Sequence, residues 1–259
     1  MTALTAPTAR THAPFRGKLL GSARLHFANV RVGVLVPLGI LGVILVANVG
    51  LLVIVLSQLA PEDRADAQDG LQYSGAAFYF IVYMMVFGVQ AMTVTFPFAL
   101  GWGVSRRDYY AGTLLAIVVR SLGFGTIFTV LSLVESSTGG WFVGGRMFTA
   151  VYFPTGDWWV RLLGFTVLFL FAMVLGSSIA TVWVRWRGLG MLVLWGGLGL
   201  LGLVAVSVIT FAHLWGEGGG AVAWLVSQPE PALWALLLVP SVVLAGLGYL
   251  VLRRATPRS

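Results

Sequence analysis

The stretch GVLVPLGILGVILVANVGLLVIVLSQL, residues 33–59, decides the fold. It contains no Asp, Glu, Lys or Arg, and it exceeds the roughly 20 apolar residues that cross a bilayer core as a helix. Five further apolar stretches follow at 74–100, 111–134, 160–184, 190–213 and 232–252. Lipid offers a bare backbone no hydrogen bonds, so such segments cross as helices. Composition agrees: of 259 residues 58% are apolar, 33 are glycine and only 10% are charged, against about 25% charged in soluble domains. A soluble globule of this size could not cover so much apolar surface, and disorder needs the opposite composition. The expected fold is an all-α integral membrane protein with six transmembrane helices.

The cations give that bundle an orientation. On one side fall Arg10, Arg16, Lys18, Arg24, Arg31, Arg106, Arg107, Arg185, Arg187, Arg253, Arg254 and Arg258, twelve of the 16 basic residues. Arg64, Arg146 and Arg161 fall on the other, and Arg120 lies within a span. Eight of the nine acids take the sparsely basic side, leaving Asp108 alone among the cations. The two faces therefore carry +11 and −5, which places both termini in the cytoplasm and the chain in the cell (plasma) membrane as a multi-pass protein. The net charge of +7 is thus a topology signal and gives no reason to expect nucleic acid.

The flanks divide the rest. Residues 1–14 read as a flexible cytoplasmic tail, and 253–259 as a second one. The basic start runs into an apolar stretch too long for a cleaved leader, so no signal peptide is expected. Over 15–31, Phe15, Leu19, Ala23, Phe27 and Val30 recur at helical spacing. This predicts an interfacial amphipathic helix, with Lys18, Arg24 and Arg31 contacting lipid headgroups; an ordinary basic leader is the alternative. Outside, 135–159 is dense in aromatic rings, which suits the headgroup boundary. Residues 214–231 could dip into the outer leaflet or form a surface loop. Two rows of small residues, Ala172–Gly176–Ala180 and Ser121–Gly125–Thr129, would let helix backbones approach within the bundle or at a subunit interface.

Little in the chain suggests chemistry. With no cysteine there is no thiolate nucleophile and no cysteine metal site. His12, His26 and His213 share no helical face, so metal binding is not expected. Gly197, Gly199 and Gly202 match G-x-G-x-x-G, but mid-span and without the strand that motif requires. No P-loop sequence occurs, and no acid falls within a span, so the chain is not expected to be an enzyme. Arg120 is the costly exception, a guanidinium placed deep in a span. Gln90 should share its depth and Asn48 lie somewhat further out. The three predict either a polar patch on a translocation pathway or internal glue in which Arg120 bonds Gln90 and backbone carbonyls.

The connection FPFALGWGVSRRDYYAGT, residues 96–113, is the most informative. Pro97, Gly101 and Gly103 bend and break a helix; Ser105 can cap the next one and Asp108 suits its first turn. This segment resembles the second-to-third span connection of permease subunits in type-2 ABC exporters, particularly actinobacterial ones. The six-span plan with both ends inside, preceded by a basic interfacial helix, is also similar to that family. The resemblance implies that residues 104–110 (Val104, Ser105, Arg106, Arg107, Asp108, Tyr109 and Tyr110) form a coupling helix docked on a separate P-loop ATPase. Arg106, Arg107 and Tyr109 would make the contact. It further implies a connecting helix at 15–31, outer half-buried helices at 216–230, and two ATPase copies with a second permease chain. ATP and Mg would belong to the partner, with no cofactor in this chain. The function expected is a permease subunit of an ATP-binding-cassette transporter, as an exporter of an unidentified substrate. The alternatives are a membrane scaffold or sensor recruiting cytoplasmic partners, and a secondary transporter.

Overall fold

The computed structural model describes residues 15–29, 31–60, 62–70, 73, 75–211, 224 and 227–254. The expected tail 1–14, most of the expected outer helices at 216–230 and the chain beyond Arg254 lie outside the described residues. Their regular structure is all helical, with no strand among the described residues. Helix α1 covers Phe15–Leu25, and a π turn at Arg31–Leu35 opens α2 at Val36–Gln58. A short acidic α3, Asp63–Gly70, leads to α4 at Phe78–Gln90, which continues through a π turn into α5 at Phe96–Gly101. Then come α6, Arg106–Ser137, and α7, Trp158–Phe211, followed by α8 at Glu230–Leu236 and α9 at Leu238–Leu252.

Five of these helical segments are long and apolar enough to cross a membrane: Arg31–Gln58, Phe78–Gly101, Arg106–Ser137, Trp158–Val208 and Glu230–Leu252. The fourth is two helices joined at Arg187, where φ is 55° and ψ −140°. A straight helix of the 54 residues of α7 would run about 80 Å at ~1.5 Å per residue. The break at Arg187 falls between the expected spans 160–184 and 190–213.

Helices α4, α6 and the first half of α7 form the packed centre. Gly88 of α4 meets α7 so closely that a Cβ there would stand 2.1 Å from the Met173 carbonyl oxygen. Gly176 of α7 is pressed equally hard against the Met85 carbonyl. Gly125 of α6 abuts the Thr166 backbone of α7. Gly176 and Gly125, the centres of the two rows of small residues, thus pack against helices of the same chain. Around these seams Phe80, Phe124, Phe128, Phe165 and Phe169 form one aromatic cluster, with ring centroids 4.6 Å apart for Phe80–Phe128 and 4.9 Å for Phe128–Phe169. Phe148 and Phe153 of the 138–157 loop enter the same core, 5.3 Å from Phe128 and 5.4 Å from Phe165.

The loop therefore departs from the headgroup-boundary reading. Met147, Phe148 and Phe153 are buried, whereas Phe142, Trp158 and Trp159 are exposed. Aromatic rings suit a lipid boundary and a protein core equally well, so their density alone could not assign them.

Gly88→Ala places a methyl group into backbone atoms and should cost about 1–3 kcal/mol as overpacking. Gly123→Ala on α6 meets open space and should leave stability unchanged or slightly raised, through helix propensity. Thermal melting of both variants in detergent tests this; equal melting temperatures would contradict the close α4–α7 seam.

Candidate functional site: a basic elbow and its anchors

The elbow between α5 and α6 is built by backbone geometry. Gly103 adopts φ 79°, a left-handed conformation that suits glycine. Its N–H donates to Leu100 O (2.9 Å) and that of Val104 to Ala99 O (3.1 Å), the double bond of a Schellman stop. Two residues later the Ser105 Oγ accepts from the Asp108 N–H at 3.1 Å and caps α6. From Arg106 the helix then runs unbroken to Ser137. Residues 104–110, expected as a separate coupling helix, are thus the cap and opening turn of α6. Asp108 complements the helix dipole there, and nothing up to Gly112 breaks the helix.

Two tyrosines fix this turn. Tyr109 is buried, its hydroxyl donating to the Ala91 carbonyl in the π turn after α4. Tyr110, also buried, donates to the Ala245 carbonyl of α9 at 2.6 Å. Tyr109 was expected to contact a partner; its burial removes it from any docking surface and makes it an anchor. Arg106 is half-buried and donates from Nη1 to the Arg253 carbonyl at 3.0 Å, holding the end of α9. Ser105 and Arg107 remain exposed.

Arg120 lies four turns along α6 and is only 4% exposed. Its Nη1 donates to the Gly33 carbonyl, and Nη2 to the His26 carbonyl at 3.1 Å. The guanidinium stands 4.1 Å from the Phe87 ring centroid and 5.4 Å from that of Phe27. Both carbonyls belong to the junction between α1 and α2, where the chain leaves helical geometry and exposes acceptors. Tyr83 of α4 donates to a third, Val32 O, at 3.1 Å.

Three expectations change here. Arg120 bonds neither Gln90 nor Asn48; Gln90 is exposed and Asn48 half-buried on α2. Position along straight helices sets a shared depth but does not reveal that the junction folds back onto α6. The helix expected over 15–31 is also shorter: α1 ends at Leu25 and the chain turns over 26–28. Finally, α1 packs on the bundle, since a Cβ at Gly112 of α6 would stand 2.5 Å from the Ser22 Cβ and 2.9 Å from the Ala23 nitrogen. Arg24 and Arg31 are exposed. Lys18 belongs to α1, with its side chain outside the described residues.

His26 joins the same junction. The Thr113 hydroxyl donates to Tyr109 O at 3.0 Å, so it accepts from His26 Nε2 at 3.0 Å. The imidazole sits against Phe87 and Tyr109. Burial, and then the charge of Arg120, push its pKa down from 6.5 to about 4.

The opposite end of α6 is closed by Glu135, buried and missed by the sequence reading. Its carboxylate accepts from the backbone N–H groups of Met147 (3.0 Å), Phe148 (3.1 Å) and Thr149 (2.9 Å), from the Thr149 hydroxyl (2.6 Å) and from Trp141 Nε1 (2.7 Å). This holds a left-handed turn over Gly139–Phe142, with Trp141 at φ 58° and Phe142 at φ 64°. Such backbone costs roughly 1–2 kcal/mol per non-glycine residue, which the Glu135 bonds offset. Phe142 projects from it, 86% exposed. Arg161 ties the loop's far end to α6, from Nε to Thr155 O (2.6 Å) and from Nη1 to Ser132 O (2.9 Å). The signal available in sequence was a lone acid ending an apolar run before Gly139–Gly140.

Among the described residues no group of three or more His, Asp or Glu could hold a metal ion. No family model matches the chain, and neither a curated protein nor a solved structure is similar to it.

Arg120→Ala leaves two half-buried carbonyls without these donors, at up to about 1–3 kcal/mol each. Its melting temperature should fall, and α1 should become accessible to protease while the α4–α7 seam stays intact. Arg120→Lys, which keeps the charge but loses the fork, should fall between. Undiminished protection of α1 in Arg120→Ala would contradict the fastening.

The His26 shift has a definite sign. The unfolded chain takes up the proton first, so stability is complete above pH 6.5 and declines as pH falls toward about 4. The full loss is about 3–3.5 kcal/mol at 1.36 kcal/mol per unit. Melting curves across that range should slope for the native chain and flatten for His26→Gln.

Proposed function

We propose that the chain is the membrane-spanning permease subunit of an ATP-binding-cassette exporter, working with a second permease chain and two copies of a separate ATPase. In this reading it crosses the cell membrane six times, the two halves of α7 crossing separately, with both termini and the elbow in the cytoplasm. The observation that carries it is the elbow: a capped, glycine-framed basic turn continuous with a 32-residue helix and bolted to two neighbours by Tyr109 and Tyr110.

That construction suits force transmission. At ~1.5 Å per residue α6 is about 48 Å long, more than the ~30 Å hydrocarbon core, so its first turns would project beyond the lipid. A partner pressing on Ser105 and Arg107 would push a rigid rod. Ala91 and Ala245 would move with it, because the tyrosine hydroxyls bind their carbonyls. Arg120 would carry the displacement to the α1–α2 junction. Packed bundles switch between discrete arrangements instead of bending smoothly. Phenylalanines fill the middle of the bundle, so a substrate route would run between two chains and not through one. Buried and tied to backbone, Arg120 serves this reading as a fastener and not as a pathway residue.

The test is capture of the ATPase. The chain purified from its native membrane should bring a P-loop ATPase with it, and Arg107→Glu should lower the amount at least about tenfold, the loss of one charge-assisted contact. Arg106 is left unchanged because it holds the end of α9. Absence of any ATPase from the native preparation would contradict the proposal and favour a scaffold.

A further inference from the structure

A cleft of about 400 Å³ opens between the interfacial helix and the elbow. Ser22 and Leu25 of α1 form one wall, Phe98 and Trp102 the other, and Ser105 with Asp108 the polar end. The volume lies at the small end of ligand pockets, roughly 300–1,000 Å³. It suits a headgroup and glycerol, with no room for two acyl chains.

A track for the chains is present. Val94, Phe98 and Trp102 recur every four residues and are 66%, 53% and 73% exposed. The Phe98 and Trp102 rings lie 5.0 Å apart. This apolar stripe leads down the second apolar helix to the mouth of the cleft. Val94 stands eight residues, about 12 Å, above Trp102, deeper in the apolar helix than a cytoplasmic protein would reach.

The charge at the polar end is unusual. Asp108 is the one acid among the twelve cations of that face, and it lines the cleft. A basic face attracts anionic headgroups; a carboxylate inside an aromatic-walled cleft selects an ammonium.

We propose that the cleft between α1 and the elbow binds one phospholipid with an amine headgroup, its ammonium on Asp108 and an acyl chain along Val94, Phe98 and Trp102. The inference requires the elbow to lie at headgroup depth and is independent of any transport activity.

The full chain, reconstituted in nanodiscs of equal phosphatidylethanolamine and phosphatidylglycerol and released into the gas phase, reports its retained lipids by native mass spectrometry. One phosphatidylethanolamine per chain should survive release. Asp108→Asn should lower its retention about tenfold or more, as one charge-assisted hydrogen bond is lost. Gly21→Trp should abolish it with melting temperature unchanged, because Gly21 lines the cleft and a side chain there starts in open space. Preferential retention of phosphatidylglycerol would overturn the proposal, as would retention that neither variant alters. So would a Gly21→Trp chain that keeps its lipid but no longer captures an ATPase, which would assign the cleft to a partner's side chain.

Discussion

Inside an apolar bundle no water is present to satisfy a polar atom, and the guanidinium of Arg120 is where this constraint weighs most. Left alone at that depth it would cost several kcal/mol. Two carbonyls and two aromatic faces receive it instead. The same contacts satisfy acceptors that the α1–α2 junction exposes where its helix breaks. One unfavourable charge and one unfavourable backbone break thus offset each other in part, with the buried Nε left unpartnered, and their pairing fixes α1 to α6. Glu135 solves the equivalent problem at the other end, where an acid and the backbone N–H groups of a strained loop need each other.

These two anchors make α6 the axis of the molecule. Its first turn carries the exposed Arg107, its middle grips the α1–α2 junction, and its last turn holds the aromatic loop. Tyr109 and Tyr110 add α4 and α9 at the base. A load on the elbow therefore reaches four other parts of the chain through named bonds. The first half of α7 completes the body through glycine seams too tight to slide. The second half, beyond Arg187, exposes most of its apolar side chains and is the part freest to meet lipid or another chain.

What could be read from sequence followed the range of the interaction concerned. Apolar length reveals where helices form, because the requirement is one-dimensional; the break at Arg187 fell inside the expected gap for that reason. The Ser105 cap and the Asp108 dipole contact are likewise local. Tyr109 and Tyr110 were misjudged because two adjacent residues can both be buried only when separate helices cover them, α4 on one side and α9 on the other. For Arg120 the backbone carbonyls of one alternative hold, but Gln90 does not join them, because position along straight helices cannot reveal acceptors that lie in a fold-back. Glu135 was counted only as a charge on one side of the membrane, which says nothing of the cradle twelve to fourteen residues ahead. The aromatic loop divided between core and surface because rings are at home in both.

The most direct measurement asks on which side of the membrane the two ends of α6 emerge. With no native cysteine, Ser105→Cys and Phe142→Cys each supply a unique exposed thiol. In intact cells an impermeant maleimide should label Phe142→Cys and leave Ser105→Cys untouched until the membrane is opened. Labelling of Ser105→Cys from outside would contradict the account at its foundation.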